Sequence, residues 1–116
     1  GTFFLPRLIG FQKASALMLL GDKVTATEAA QMGMIFKVFA EENFQEEVNK
    51  LATTLAQMPT KALGLTKRLL NQSMNNSLDQ QLDMESDLQI EASSSNDYNE
   101  GVTAFVEKRK PEFKGN

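Results

Sequence analysis

Met34-Ile35-Phe36-Lys37-Val38-Phe39 is the one stretch of this 116-residue chain with strand character, being rich in β-branched and aromatic residues. A strand carries rows of N–H and C=O groups that need a ladder, and nothing before or after this stretch offers a second strand. The fold therefore reads as mainly α, with at most one short strand within residues 34–39.

Upstream, Thr25-Ala26-Thr27-Glu28 fits a capping box, predicting a helix of about two turns that Gly33 closes. Phe11 to Leu20 predicts a short helix ended by Gly21 in a left-handed cap. At about 100° per residue, Leu17, Met18, Leu19 and Leu20 point to four different sides, so this helix needs cover all round. The opening Gly1 to Ile9, GTFFLPRLI, is too apolar for a solvated terminus and reads as the interior of a larger fold.

Downstream the chain reads as helical throughout. Asn43 with Glu46 three residues later signals a helix start, and Phe44, Val48, Leu51, Leu55 and Met58 fall within about 80° on a helical wheel, a helix docked by one face. Pro59 stops it and Thr60 caps the next, whose apolar arc holds Ala62, Leu63, Leu65, Leu69 and Leu70. Ser77 caps a longer helix running to about Ala92, with Leu78, Leu82, Met84, Leu88 and Ala92 on one arc. Ile90 falls outside that arc, either simply exposed or suited to a second contact surface. Asp97 to about Arg109 forms the last helix, with Tyr98, Val102, Phe105 and Val106 on one side and Lys108, Arg109 and Lys110 in its last turn.

Composition narrows the function classes. Apolar residues make up 41%, charged residues 23% and the formal charge is -3, values of an ordinary globular chain with no pull toward nucleic acid. Cysteine and histidine are absent, which removes thiolate nucleophiles, imidazole bases and the usual metal ligands. No apolar run approaches 18 residues and no basic leader opens the chain, so the expectation is a cytoplasmic protein with no membrane partner. The acids Glu41, Glu42, Glu46, Glu47, Asp79 and Asp83 fall on polar faces or helix starts, where solvated or dipole-favoured carboxylates are expected. Glu46 and Glu47 point about 100° apart, poorly placed for shared acid–base work.

An orphan strand and an all-round apolar helix point the same way. They are expected in the C-terminal part of a larger α/β protein whose sheet lies upstream. A self-sufficient helical bundle is the competing architecture, and it needs oligomerisation to cover the same surfaces.

The residues also carry a family resemblance. Gly1-Thr2, Leu5-Pro6-Arg7-Leu8-Ile9-Gly10, Leu19-Leu20-Gly21-Asp22-Lys23, Ala26 through Glu28-Ala29, Gly33-Met34-Ile35 and the closing run Tyr98, Glu100-Gly101-Val102-Thr103-Ala104-Phe105-Val106-Glu107-Lys108-Arg109, Pro111-Glu112-Phe113 resemble, in order and spacing, the C-terminal half of the crotonase superfamily, the enoyl-CoA hydratases and isomerases. The closing run is the most diagnostic. The resemblance implies a crotonase-like ββα-spiral α/β fold, with residues 1–40 the end of the spiral core and residues 41–116 the helical region for oligomerisation and CoA contact. It implies a homo-oligomer, a trimer or a hexamer, an acyl-CoA thioester as substrate and no tightly bound cofactor or metal.

In that family two backbone amides hold the thioester carbonyl and carboxylates move protons on the acyl chain. These groups map upstream of the position matching Gly1, so no catalytic residue is assigned here. The positions matching Phe105 and Lys108 contact the CoA adenine and phosphates in hydratases. Each has a plainer reading: Phe105 lies on the apolar stripe and suits a core, and Lys108 at a helix C-terminus suits the dipole. The TFFLPRLIG opening is similar to the ring-epoxide isomerases of phenylacetyl-CoA catabolism. Phe3 and Phe4 could line an acyl pocket that takes a ring, or be core packing.

Two functions follow from different classes. One is part of an enoyl-CoA hydratase or isomerase working by enolate stabilisation in aromatic-acid or fatty-acid catabolism, inactive as the 116 residues alone. The other is a non-catalytic helical module that self-associates through its apolar opening helix and Ile90. On either reading the chain is expected to associate, and sedimentation at high concentration that finds only a monomer would contradict the uncovered-helix argument.

Overall fold

The computed structural model describes all 116 residues. They divide into two compact units, Gly1–Glu47 and Val48–Asn116. No strand forms, and no helix is long and apolar enough to cross a membrane.

The first unit holds α1 (Phe4–Ile9), α2 (Phe11–Leu20), α3 (Ala26–Gln31) and a 3-10 turn (Glu41–Asn43) that leads into α4 (Phe44–Ala56). Gly10 joins α1 to α2 with φ 83° and ψ 154°, a region closed to residues with a Cβ, and its amide donates to the Pro6 carbonyl at 3.0 Å. Gly21 ends α2 in the left-handed cap expected of it. The capping box on α3 is present in full: Glu28 N donates to Thr25 Oγ1 at 3.2 Å and Thr25 N donates to Glu28 Oε2 at 2.9 Å. The Thr25 hydroxyl also donates to that carboxylate, which holds Glu28 below its ordinary pKa.

The stretch 34–39 is not a strand. Met34 and Ile35 turn their amides onto the Ala29 carbonyl at 2.8 and 3.4 Å, and the chain then runs irregularly to Ala40. β propensity expresses itself only against a partner strand, and without one these amides satisfy the end of α3 instead. Phe39 packs edge-on to Phe44 at 6.4 Å, with the Lys37 ammonium 4.8 Å from the Phe39 ring.

The second unit holds α5 (Thr60–Gln72), α6 (Leu78–Ser93) and α7 (Asn96–Glu107). Ser77 caps α6 as expected, and Gln80 completes a capping box with it. Thr60 does not cap α5: Pro59 occupies the cap position and Thr60 is the first helical residue, making no capping bond. Gln81 ties α6 to α5 by donating to the Leu69 carbonyl at 3.3 Å.

Little apolar surface is covered. Ile9, Ala14, Ala29, Leu88 and Ala104 are the buried apolar residues, and none is a large side chain fully removed from solvent. Phe11, Leu19 and Leu20 of α2 stay 72–84% exposed, so the all-round apolar helix has almost no cover here. The stripe of α4 predicted to dock also lies open at Phe44, Leu51, Leu55 and Met58, as does Ile90 on α6. Burying one such side chain is worth about 1.5–3 kcal/mol, a gain that these residues forgo.

α7 packs by the face opposite to the one its hydrophobic stripe predicted. Tyr98, Val102, Phe105 and Val106 are exposed, and Asp97 and Ala104 are buried. The reason is the segment after α7, which folds back along the helix. Asp97 Oδ1 and Oδ2 accept from the Lys114 and Gly115 amides at 2.7 and 2.8 Å, and the Asp97 amide donates to the Asn116 carbonyl at 3.0 Å. Further along, Arg109 Nη1 and Nη2 donate to the two oxygens of Glu100 at 2.6 and 2.8 Å, and the Glu112 amide donates to Oε1 of Glu100 at 2.8 Å. Arg109 foremost, then the Glu112 amide, hold the Glu100 carboxyl down to about 2 from an ordinary 4.5, and the Glu100 carboxylate, then that of Glu107, raise the Arg109 guanidinium. Gly115 has φ 82°, and a Cβ on it would collide with Thr60 Oγ1.

Two outcomes are expected. Gly115→Ala combines a left-handed backbone with that collision and should loosen the tail by about 1–3 kcal/mol, seen as faster amide exchange at Lys114 and Gly115. Because folding lowers the Glu100 pKa, its contribution to tail docking is complete above about 4.5 and fades as pH falls toward about 2. An acid titration of the Glu112 amide, whose acceptor is Glu100, should show that window in wild type and lose it in Glu100→Gln.

Candidate functional site

The end of α7 gathers what the second unit can offer a ligand. Gly101 carries no side chain, so the Phe113 ring of the returning tail sits against it, 3.6 Å from where a Cβ would stand. With Phe113 held there, Ala62 of α5, Ala92 of α6 and Tyr98, Val102 and Phe105 of α7 line a groove of ≈ 380 Å³. Its walls are almost wholly apolar, and the Phe105 ring at its edge is 85% exposed. Within these 116 residues Phe105 belongs to no core. A ring left open beside an apolar groove can stack on a planar ligand.

Lys108 ends α7 rather than lying in its last turn. It adopts a left-handed conformation, φ 55° and ψ 36°, with its amide on the Ala104 and Phe105 carbonyls. Its side chain is exposed and has no carboxylate partner. Arg109 beside it is neutralised, with Nε on Glu107 at 2.6 Å and both Nη atoms on Glu100. Three residues from the open Phe105 ring, the chain thus keeps one unpaired ammonium that can meet an anion.

In the first unit Phe3 and Phe4 do come together, edge to face with ring centroids 5.0 Å apart and an interplanar angle of 82°. Both are exposed, Phe4 at 61%, and no cavity encloses them. Arg7, which sequence reasoning passed over, fixes the pair. Its guanidinium lies 3.8 Å from the Phe3 ring centroid, and Nη1 donates to the Phe3 carbonyl at 2.8 Å. The signal was available, since position i+4 on a helix start faces residue i.

Sequence reasoning also missed the roles of Asp97, Glu100 and Arg109. The signal for Glu100 and Arg109 lay in the diagnostic closing run itself. Glu100, Gly101, Arg109, Glu112 and Phe113 all take part in folding the tail onto α7, so much of that pattern is structural. Three carboxylates, Glu28, Asp97 and Glu100, are each engaged by backbone amides, a hydroxyl or Arg109. None of the three is free to move a substrate proton.

Comparison with known proteins agrees with these residues. Residues 1–116 match the family model described as enoyl-CoA hydratase/isomerase. The 1,2-epoxyphenylacetyl-CoA isomerase of Escherichia coli K12 is 45% identical over 115 residues, covering 99% of this chain and 44% of the relative. The 2,3-dehydroadipyl-CoA hydratase of the same organism is 36% identical, with 99% and 45% covered. Among solved structures, an enoyl-CoA hydratase from Bacillus anthracis superposes with a TM-score of 0.92 at 31% identity, over 99% of this chain and 45% of that one. The chain thus spans less than half the length of the relatives it matches. Matched by the family model from its first residue to its last, and folded as the corresponding part of a solved relative is folded, the chain belongs to the enoyl-CoA hydratase/isomerase family of the crotonase superfamily.

Proposed function

We propose that this chain forms the helical part of an enoyl-CoA hydratase or isomerase that acts on acyl-CoA thioesters through a stabilised enolate. Residues 1–40 complete its spiral core, and residues 41–116 contact CoA and neighbouring subunits in a trimer or a dimer of trimers. The observation that carries the CoA reading is the pairing of an exposed ring, Phe105, with an unpartnered ammonium, Lys108, at the end of one helix. CoA carries an adenine that stacks and phosphates that attract a cation, so the two residues suit its two chemistries.

The acid–base and oxyanion groups belong to the remainder of the enzyme, as the family resemblance implies, and Glu28, Asp97 and Glu100 already have partners within this chain. The 45% identity to a 1,2-epoxyphenylacetyl-CoA isomerase supports a substrate from aromatic-acid catabolism. On that reading Phe3 and Phe4, clamped by Arg7, line the part of the acyl pocket that receives a ring.

Two measurements test the proposal. Calorimetry with CoA should show binding that Lys108→Ala weakens about tenfold, the worth of one charge-assisted contact. Equal affinity in both proteins would remove Lys108 from the site. The 116-residue chain mixed with crotonyl-CoA should give no turnover above background, and turnover would overturn the division of labour proposed here.

A further inference from the structure

The fold treats the three consecutive cations Lys108-Arg109-Lys110 differently. Arg109 has Nε, Nη1 and Nη2 all on carboxylates, whereas the lysines on either side pair with none. Lys108 is also the only residue other than glycine with a positive φ. A helix ends most easily in that conformation on glycine, because an L side chain there crowds its own carbonyl. An unpaired lysine in a disfavoured backbone conformation needs an outside restraint, and strain of this kind gathers where a side chain has work to do.

The restraint is visible on both sides of Lys108. Before it, α7 runs unbroken to Glu107, and the Lys108 amide closes on the Ala104 and Phe105 carbonyls. After it, the Arg109 amide donates to the Ala104 carbonyl at 3.0 Å, the guanidinium forks onto Glu100, and the Glu112 amide returns to the same carboxylate. One carboxylate on the helix thus holds residues 109 and 112. The chain meets both demands by reversing at Lys108.

We infer that Glu100 and Arg109 are positioning residues: their bidentate pair holds Lys108 in the left-handed conformation from which its ammonium meets the phosphate of a CoA-type ligand, three residues from the open Phe105 ring. This rests on Lys108 being the phosphate contact. Glu100 and Arg109 themselves do not touch the ligand, since each is occupied by the other.

A double-mutant cycle tests it, with CoA affinity measured for wild type, Glu100→Gln, Lys108→Ala and the double variant. The backbone of Lys108 is followed by its amide–Hα NMR coupling. Glu100→Gln should release Lys108 from the left-handed region and weaken CoA binding about tenfold, as the binding-competent conformer becomes a minor one. In the Lys108→Ala background the same substitution should cost nothing further, because Glu100 acts only through Lys108. A general loss of structure would instead lower affinity in both backgrounds, and additive losses overturn the inference. So does a Lys108 that stays left-handed in Glu100→Gln. If Lys108→Ala binds CoA as wild type does, the phosphate reading fails by itself, and the coupling still decides whether Glu100 sets the Lys108 backbone. Should circular dichroism show that Glu100→Gln does not fold, Arg109→Lys replaces it, keeping the charge and losing the fork.

Discussion

A carboxylate placed at the start of α7 holds the second unit in its observed form. Asp97 is 3% exposed and accepts two amides of the tail, which turns a polar terminal segment into a packed element. A hydrogen bond to a charged acceptor contributes about 1.5–3 kcal/mol, so the Asp97 carboxylate fixes where the tail docks. Once it is docked, Phe113 lies on Gly101, Arg109 reaches Glu100, and α7 presents its apolar stripe outward. The groove and the Lys108 reversal are both downstream of that contact.

Most of the remaining apolar surface has no partner within the chain. α2 brings one buried side chain, Ala14, and leaves Phe11, Leu19 and Leu20 in solvent. The helices are held locally by caps, turns and neighbouring segments, with a thin core. Such a chain has many local contacts and little burial, which suits a piece whose apolar faces are completed by other protein.

Features that depend on a few adjacent residues were legible in the sequence. The Thr25–Glu28 box, the Ser77 cap and the Gly21 cap need only hydrogen bonds across one turn, and they form as read. The stretch 34–39 has β propensity and forms no strand, within the expectation of at most one, because β propensity is a property of a pair of strands. The stripe on α7 misled for a related reason: helical periodicity shows which face is apolar but not which face is covered, and the tail, fixed through Asp97 and Glu100, covers the other one. The family resemblance singled out Phe105 and Lys108, and the proposed CoA contact rests on them. The ties that give Lys108 its conformation span 9 and 12 residues and required the chain reversal to be seen.

The open face of α2 sets two requirements against each other. Short helices with local contacts form within microseconds, well before distant segments arrive to cover them, so Phe11, Leu19 and Leu20 meet water early in folding. Polar replacements there would keep the chain dispersed on its own and would also remove an apolar surface that other protein could cover. Solubility in isolation and cohesion with covering protein therefore select opposite residues on the same helix.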